Sequence, residues 1–474
     1  MSSRSNPPSC TDVKERKRRG QFSEVDRQAT SVTRGVGACM RCRAQRIRCS
    51  PSDPNDPSGP CAPCSKVSKT NKKTIHRIPC WRYKFATMVL HRSGGLNYTN
   101  RFTYEEVLDI GDYSDNIIYS VKMEQGLCEK PVVLRIRRFR PREGDDLNRR
   151  YIENGTLKEQ PLEPFCLANV EQTAKDFRKY IEENALRGLR FAVRESDDIV
   201  KATFDMIARE CMGVTETGRS RGKKDANESK EQQDLRKFLW MVVRLWFSIR
   251  HETGSAWLDG PETLPAGSRL PPGERPRVPR MIVAQFDSIR HERIYKDLAP
   301  QVLKAIETYI CSCNMRAWFT VYLASFLLLH QVSYSSKDRM RWAQANMPPG
   351  TPLRTRYGPR DHPLTALVEY LQDSGRSLLL YWQYFKRCDL MKFDWGDAGK
   401  SSLKHLKPYQ LEFMKVTVER LKRKGGSIPT SPSEGCWEHE LFWVSHLFGS
   451  PPSKDQNWTP PEGFLRAKPS VGRI

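Results

Sequence analysis

From about residue 165 onward, apolar positions recur at intervals of three and four, the spacing of an amphipathic helix. Leu235, Leu239, Val242, Val243 and Trp246 show it, as do Leu367, Tyr370, Leu371, Leu378 and Tyr381. The pattern predicts helices over 167–186, 196–212, 232–250, 287–334, 363–393, 405–424 and 436–448, with the fourth broken near Pro300. Breaks fall at the charged, glycine-containing 213–231, at the proline-rich 259–280 and 346–363, and at 424–434. Ahead of the helices, Asn116–Val121 and Val132–Ile136 read as a short β element. The most apolar run, Ala317–Leu329, is shorter than the about 20 residues a bilayer needs and reads as a buried core helix. The aromatic groups Trp318-Phe319-Tyr322 and Trp437-Leu441-Phe442-Trp443 read as core rather than as a ligand box. Residues 1–38 carry few apolar positions and are predicted to form an unstructured basic tail; 449–474 is proline-rich and loose.

Charge changes this picture at one end. The 474 residues carry a formal net charge of +24, and residues 1–90 hold 19 Lys and Arg against 6 Asp and Glu. Over half of the excess therefore sits in the first fifth of the chain, as in a nucleic-acid contact rather than a uniformly basic surface. Lys14, Arg16, Lys17, Arg18 and Arg19 form a basic run that reads as a nuclear import signal or as a solvated tail; in this position import is the reading adopted. No apolar leader opens the sequence, so a reducing nucleocytosolic compartment, and the nucleus in particular, is expected. A second basic patch, Arg135, Arg137, Arg138, Arg140 and Arg142, lies in a strand-turn context and reads as a solvated face.

Six of the fourteen cysteines lie close together: Cys39, Cys42, Cys49, Cys61, Cys64 and Cys80, separated by two, six, eleven, two and fifteen residues. A two-residue gap lets both sulfurs of a pair face one tetrahedral ion, so two such pairs are a zinc signal. Six sulfurs exceed one four-coordinate zinc and fall short of two separate sites. If all six bind, two zincs share thiolates, and the cluster carries a charge of −2. Basic side chains must then attract DNA, and Arg41, Arg43, Arg46 and Arg48 lie in the first half, with Lys66, Lys69, Lys72 and Lys73 after the second.

Cys39-Met-Arg-Cys42-Arg-x-x-Arg-x-Arg-Cys49 and Cys61-Ala-Pro-Cys64-Ser-Lys66 resemble the fungal-type binuclear zinc-cluster transcription factors over about residues 36–85. The resemblance implies that Cys39 and Cys61 bridge two zincs, with Cys42 and Cys49 terminal on one and Cys64 and Cys80 on the other. The last interval is longer than the family's usual one. It also implies that Arg46 reads bases of a short G/C-rich site in the major groove. Gln45 stands where the family often has Lys or Arg, and it can read adenine or meet phosphate. Arg43, Arg48 and Lys66 are expected on the phosphates. Met40–Cys49 is expected to be a short helix, and the segment after Cys61 its pseudo-symmetric partner. Trp81-Arg82-Tyr83-Lys84-Phe85 could stack on nucleic acid or seal the cluster; sealing is the reading adopted.

No H-E-x-x-H, G-x-S-x-G, P-loop or strand-helix G-x-G-x-x-G occurs, and the His-Glu pairs His251-Glu252 and His291-Glu292 lack a second histidine, so no enzyme is expected. Glu438-His439-Glu440 is expected to face water. The alternative is a zinc-stabilised protein-interaction module without base-specific DNA binding, to which His76 could add a ligand. Asp389–Asp397 mixes acid and aromatic residues like an activation segment, but it follows a helix and reads as a packed turn.

The chain is therefore expected to be mainly α: a small N-terminal two-zinc cluster module followed by a large α-helical region with a minor β element. The expected divisions are a tail over 1–38, a DNA-binding module over 39–85, a linker with the β element over 86–164, a regulatory helical domain over 165–448 and a tail over 449–474. The expected cofactor is Zn(2+), two per chain, and the expected partner is double-stranded DNA. Residues 81–110 sustain no heptad pattern, because Ser93-Gly94-Gly95 interrupts the few apolar positions. Residues 30–95 alone should therefore sediment as a monomer, and any dimer of the full chain should form through the helical region. A stable dimer of that fragment at micromolar concentration in the ultracentrifuge would overturn this expectation.

Overall fold

In a computed structural model of the chain, residues 23–57, 59–67, 79–92, 96, 98–102, 106–153, 156–212, 229–251, 256–258, 276–346, 364–396, 403–428 and 439–449 are described. They fall into two units: a cysteine-bearing unit up to Arg82 and a helical unit from Tyr83 onward. Lys14 to Arg19, Lys69, Lys72, Lys73 and His76 lie outside the described residues.

The cysteine unit begins with α1 (Glu24–Val36). The sequence reading expected a tail without structure here, and the correction has a local cause. The Ser23 hydroxyl accepts from the Asp26 amide at 3.1 Å, and Glu24 and Asp26 place negative charge in the first turn. Gly37 ends the helix at φ 85, a left-handed conformation that favours glycine. Two short helices follow, α2 (Met40–Gln45) and α3 (Ala62–Ser65). α2 stops before the expected Cys49 because Arg46 turns left-handed at φ 54.

The helical unit contains the sheet, so residues 86–164 are not a linker but part of its packing. β1 (Tyr119–Glu124) and β2 (Val132–Arg138) pair antiparallel, with Tyr119 opposite Ile136 and Met123 opposite Val132. β3 (Asn148–Glu153) and β4 (Thr156–Pro161) form a separate antiparallel pair, and β5 (Phe165–Leu167) lies on the far side of β2. In β2, Val132, Leu134 and Ile136 are buried while Val133 is exposed, the alternation of a sheet with one covered face.

The helices are α4 (Val170–Ala192), α5 (Asp198–Cys211), α6 (Lys230–Arg250), α7 (Arg280–Arg290), α8 (Lys296–Cys311), α9 (Trp318–Asn346), α10 (Leu364–Lys386), α11 (Pro408–Lys424) and the single turn α12 (Phe442–Ser445). A short strand, β6 (Trp257–Leu258), joins the edge of β1. Caps set the starts: Asn169 accepts from Gln172 N at 2.6 Å, Asp197 from Ile199 N at 2.8 Å, and Ser229 and Gln232 close a capping box. The expected break at Pro300 does not occur. A π turn, His291–Tyr295, takes up the register change just ahead of α8, which runs through Pro300, and the chain breaks instead at Cys313, φ 53.

Buried positions cover every face of α9 from Trp318 to Val332, so it is a core helix; it packs against α10, α6 and α12. Among the described residues no helix is long and apolar enough to cross a membrane. The Gln285 side chain joins sheet to helices: its Oε1 accepts from Leu167 N at 2.8 Å and its Nε2 donates to Leu108 O at 3.0 Å. The Arg patch is largely paired: Arg138 meets Glu163 at 3.2 Å, Arg142 meets Asp112 at 2.9 Å, and Arg137 lies 4.6 Å over Tyr113.

Several expectations about polar residues change. Glu440 does not simply face water, because its carboxylate accepts from Asp197 N at 2.7 Å and helps begin α5. His251 and His291 are buried, and His251 meets Phe247 O at 2.7 Å. Burial holds His251 down at about 3, so it is neutral. The stretch 389–396 is packed: Leu390 is buried with its amide on Phe448 O at 3.0 Å, and the Phe393 and Trp395 rings lie 4.8 Å apart.

Two predictions follow from this packing. A Cβ on Gly188 would clash with the Phe247 ring where α4 crosses α6, so Gly188→Ala should cost about 1–3 kcal/mol in denaturant unfolding. The second concerns Asp287, fully buried and paired with both Arg92 and Arg290. Burial would raise its pKa, but the two guanidinium groups outweigh it and hold the carboxyl well below the usual range. Its folded pKa is depressed, so its contribution is complete above the unfolded value of about 3.9 and fades as pH falls below it. Asp287→Asn should cost about 3–5 kcal/mol at pH 7 and flatten the acid limb of the stability profile.

Candidate metal centre and nucleic-acid face

Each Cys-x-x-Cys pair is built on one turn of helix. Cys39 caps α2 and its sulfur accepts from Cys42 N at 3.4 Å; Cys61 occupies the same position ahead of α3. The Ala62 amide on Ser50 O, 2.9 Å, fastens the start of α3 to the loop after Cys49. Further amides point at sulfur: Cys39 N at Cys49 Sγ, 3.4 Å, and Cys61 N at Cys80 Sγ, 3.3 Å.

The six sulfurs fall into two sets of four, Cys39, Cys42, Cys49 and Cys61, and Cys39, Cys61, Cys64 and Cys80, with each set contained within 4.8 Å. Cys39 and Cys61 belong to both. A tetrahedral ion with 2.3 Å bonds to sulfur has edges of about 3.8 Å. The separations are 3.9 Å for Cys39–Cys61, 3.7 Å for Cys39–Cys64 and 3.6 Å for Cys42–Cys61, so the donors fit a metal of that size. All six thiols are free. The crowded thiols differ in acidity: hydrogen bonds to Cys64 and Cys80 push Cys39 far up and burial raises Cys42, while hydrogen bonds with Cys39 and Cys64 hold Cys80 far below the usual thiol range. A bound dication would hold such a set as thiolates.

Of the run Trp81 to Phe85, expected to seal the cluster, Arg82 makes the closing contacts. Arg82 donates to Gly37 O at 2.9 Å, to Cys49 Sγ at 3.2 Å and to Gly59 O at 2.9 Å. Its neighbour Trp81 is buried and its carbonyl accepts from Met40 N at 2.8 Å. Trp81 and Arg82 thus belong to the cysteine unit, whereas Phe85 packs on Tyr381 in the helical unit, ring centres 4.4 Å apart. The aromatic-basic run after Cys80 pointed to sealing, but not to Arg82 as the residue that does it.

The four arginines of the first half do not share one face. Arg41 is buried and donates to Pro63 O at 2.8 Å, bracing one Cys-x-x-Cys turn against the other. Arg43 is half-buried. Gln45 and Arg46 are exposed at the end of α2, as is Lys66 at the end of α3. Arg48 is exposed but ion-paired with Asp26 of α1 at 2.9 Å. Thr33 adds a bond to Cys49 O at 3.2 Å, so α1 is part of the cysteine unit, and a fragment starting at residue 30 would cut it. The signal for α1 was present: Ser23 and Asp26 at capping distance, with Val25, Ala29 and Val32 at helical spacing.

A cysteine cluster able to hold metal thus lies ahead of a large helical region in the sequence. A family described as KpeA transcription factor matches residues 94–447, and the chain belongs to that family. The match covers the helical unit and leaves the six cysteines outside it. No curated protein and no solved structure matches the chain.

Removing Arg82 tests the closure. Arg82→Ala deletes two carbonyl contacts and one sulfur contact at once, and metal affinity measured by competition with a chromogenic chelator should fall about 10–100-fold. Arg82→Lys should not rescue it, since an ammonium cannot span Gly37 O and Gly59 O as a guanidinium does.

Proposed function

We propose that the chain is a nuclear, sequence-specific DNA-binding regulator of RNA polymerase II-type transcription, with a fungal-type binuclear zinc cluster as its DNA-binding module. The observation that carries this reading is the sharing of Cys39 and Cys61 between two four-sulfur sets. Two zincs held this way use all six thiolates, with Cys42 and Cys49 terminal on one and Cys64 and Cys80 on the other. Membership of a transcription-factor family supports a regulatory role. Zinc binding supplies the folding energy of a unit whose buried cluster is made of cysteine.

In this reading the exposed end of α2 enters the major groove. Arg46 pairs with guanine, and Gln45 beside it reads adenine or meets phosphate. Arg43 and Lys66 hold the backbone, and Arg48 does so as a guanidinium oriented by Asp26. Arg41 takes no part, because it is committed to Pro63 O. The basic run Lys14 to Arg19 acts as the import signal.

The test is binding to a site selected in vitro and to a one-base mismatch. Arg46→Ala should lose about 1–3 kcal/mol on the matched site and discriminate less at one base position. Arg43→Ala and Lys66→Ala should weaken both sites alike and reduce the salt slope by about one each. Equal losses on both sites for Arg46→Ala would refute its role as the reader.

A further inference from the structure

The helical unit contains a cavity of about 290 Å³, between the end of α5, the first turns of α6, the start of α9 and the entry to α11. Its volume is at the lower end of small-molecule sites, about 300 Å³. Its wall has two characters. Leu235 and Leu239 of α6, Phe319 of α9 and Leu406 ahead of α11 are buried and form an apolar side. Arg236, Arg316 and Lys407 form the other, together with Glu210 and Glu231.

Both carboxylates are already engaged. Glu231 accepts from Arg316 and Asn314, each at 2.9 Å. Glu210 accepts from Tyr409 at 2.6 Å and from Gln410 at 3.2 Å. Arg236 also donates to Met212 O at 3.1 Å, through one of its guanidinium nitrogens. Three cations line the cavity beside two carboxylates, and the amino-terminal turns of α6, α9 and α11 add positive potential. A ligand that satisfies both sides has an apolar body and one negative charge.

We propose that this cavity binds a small organic anion, a carboxylate carried on an aromatic or short aliphatic body. The apolar side takes the body, and Arg236 and Lys407 take the carboxylate. The proposal does not depend on the DNA-binding reading, because its readout involves neither DNA nor zinc.

The experiment is calorimetric titration of the full-length protein with benzoate, and with benzamide as its neutral isostere. Benzoate should bind at one site per chain, and benzamide about tenfold more weakly or worse. Arg236→Gln should weaken benzoate about tenfold while leaving benzamide unchanged. Thr320→Trp places a large side chain at the cavity wall and should abolish benzoate binding. Circular dichroism and melting should show that variant folded; if it is not, Arg236→Gln decides the matter. No benzoate binding at millimolar concentration, equal binding of benzamide, unchanged benzoate binding in Arg236→Gln, or retained binding in folded Thr320→Trp would overturn the proposal.

Discussion

Six sulfurs gathered into two overlapping sets are the constraint on which the cysteine unit depends. Ionised together they repel; protonated together they leave polarizable groups with little to hold them in register. The surrounding chain offers little else, since α2 and α3 span only six and four residues. A unit of this kind is one that a bound metal would fold. The protein's own contribution is the frame: amides aimed at sulfur, Arg41 bracing one turn on the other, and Arg82 closing the loops over Cys49. That frame also decides which cations remain for a partner, because Arg41 and Arg82 are spent inside.

The helical unit is held differently. Its core is apolar packing around the first half of α9, polar residues such as His330, Gln331 and Gln383 are buried along α9 and α10, and three side chains form defined joints. Gln285 ties β5 to α7, and Asp287 draws Arg92 and Arg290 into one buried group. Arg101, bonded to both Asp112 and Asp145, does the same at the sheet edge. Such joints specify which elements meet, while the surrounding packing supplies most of the stabilisation.

Periodicity was enough to locate most helices, because apolar spacing reports the face that must be buried. It failed where local geometry overrides propensity. Pro300 reads as a break, yet a π turn ahead of it lets the helix continue, and nothing in the spacing announces that turn. α1 was hidden by its polar composition, although its cap was visible in Ser23 and Asp26. At the candidate site, the cysteine spacing pointed to a metal, while the sharing of Cys39 and Cys61 was implied by the resemblance to the binuclear zinc-cluster family. The arginines were less legible. Charge density alone could not separate Arg41, buried against Pro63 O in the first turn of α2, from Arg46, exposed in the left-handed turn that ends it. Arg82 reaches Gly37 and Gly59 from far along the chain, and contacts of that kind leave no periodic trace.

The shared-thiolate arrangement is tested most directly by zinc-edge X-ray absorption on the full-length protein. It predicts a first shell of sulfur alone at about 2.3 Å, four per zinc, and a second zinc as a near neighbour. A shell containing nitrogen or oxygen, or zinc without a metal neighbour, would contradict it.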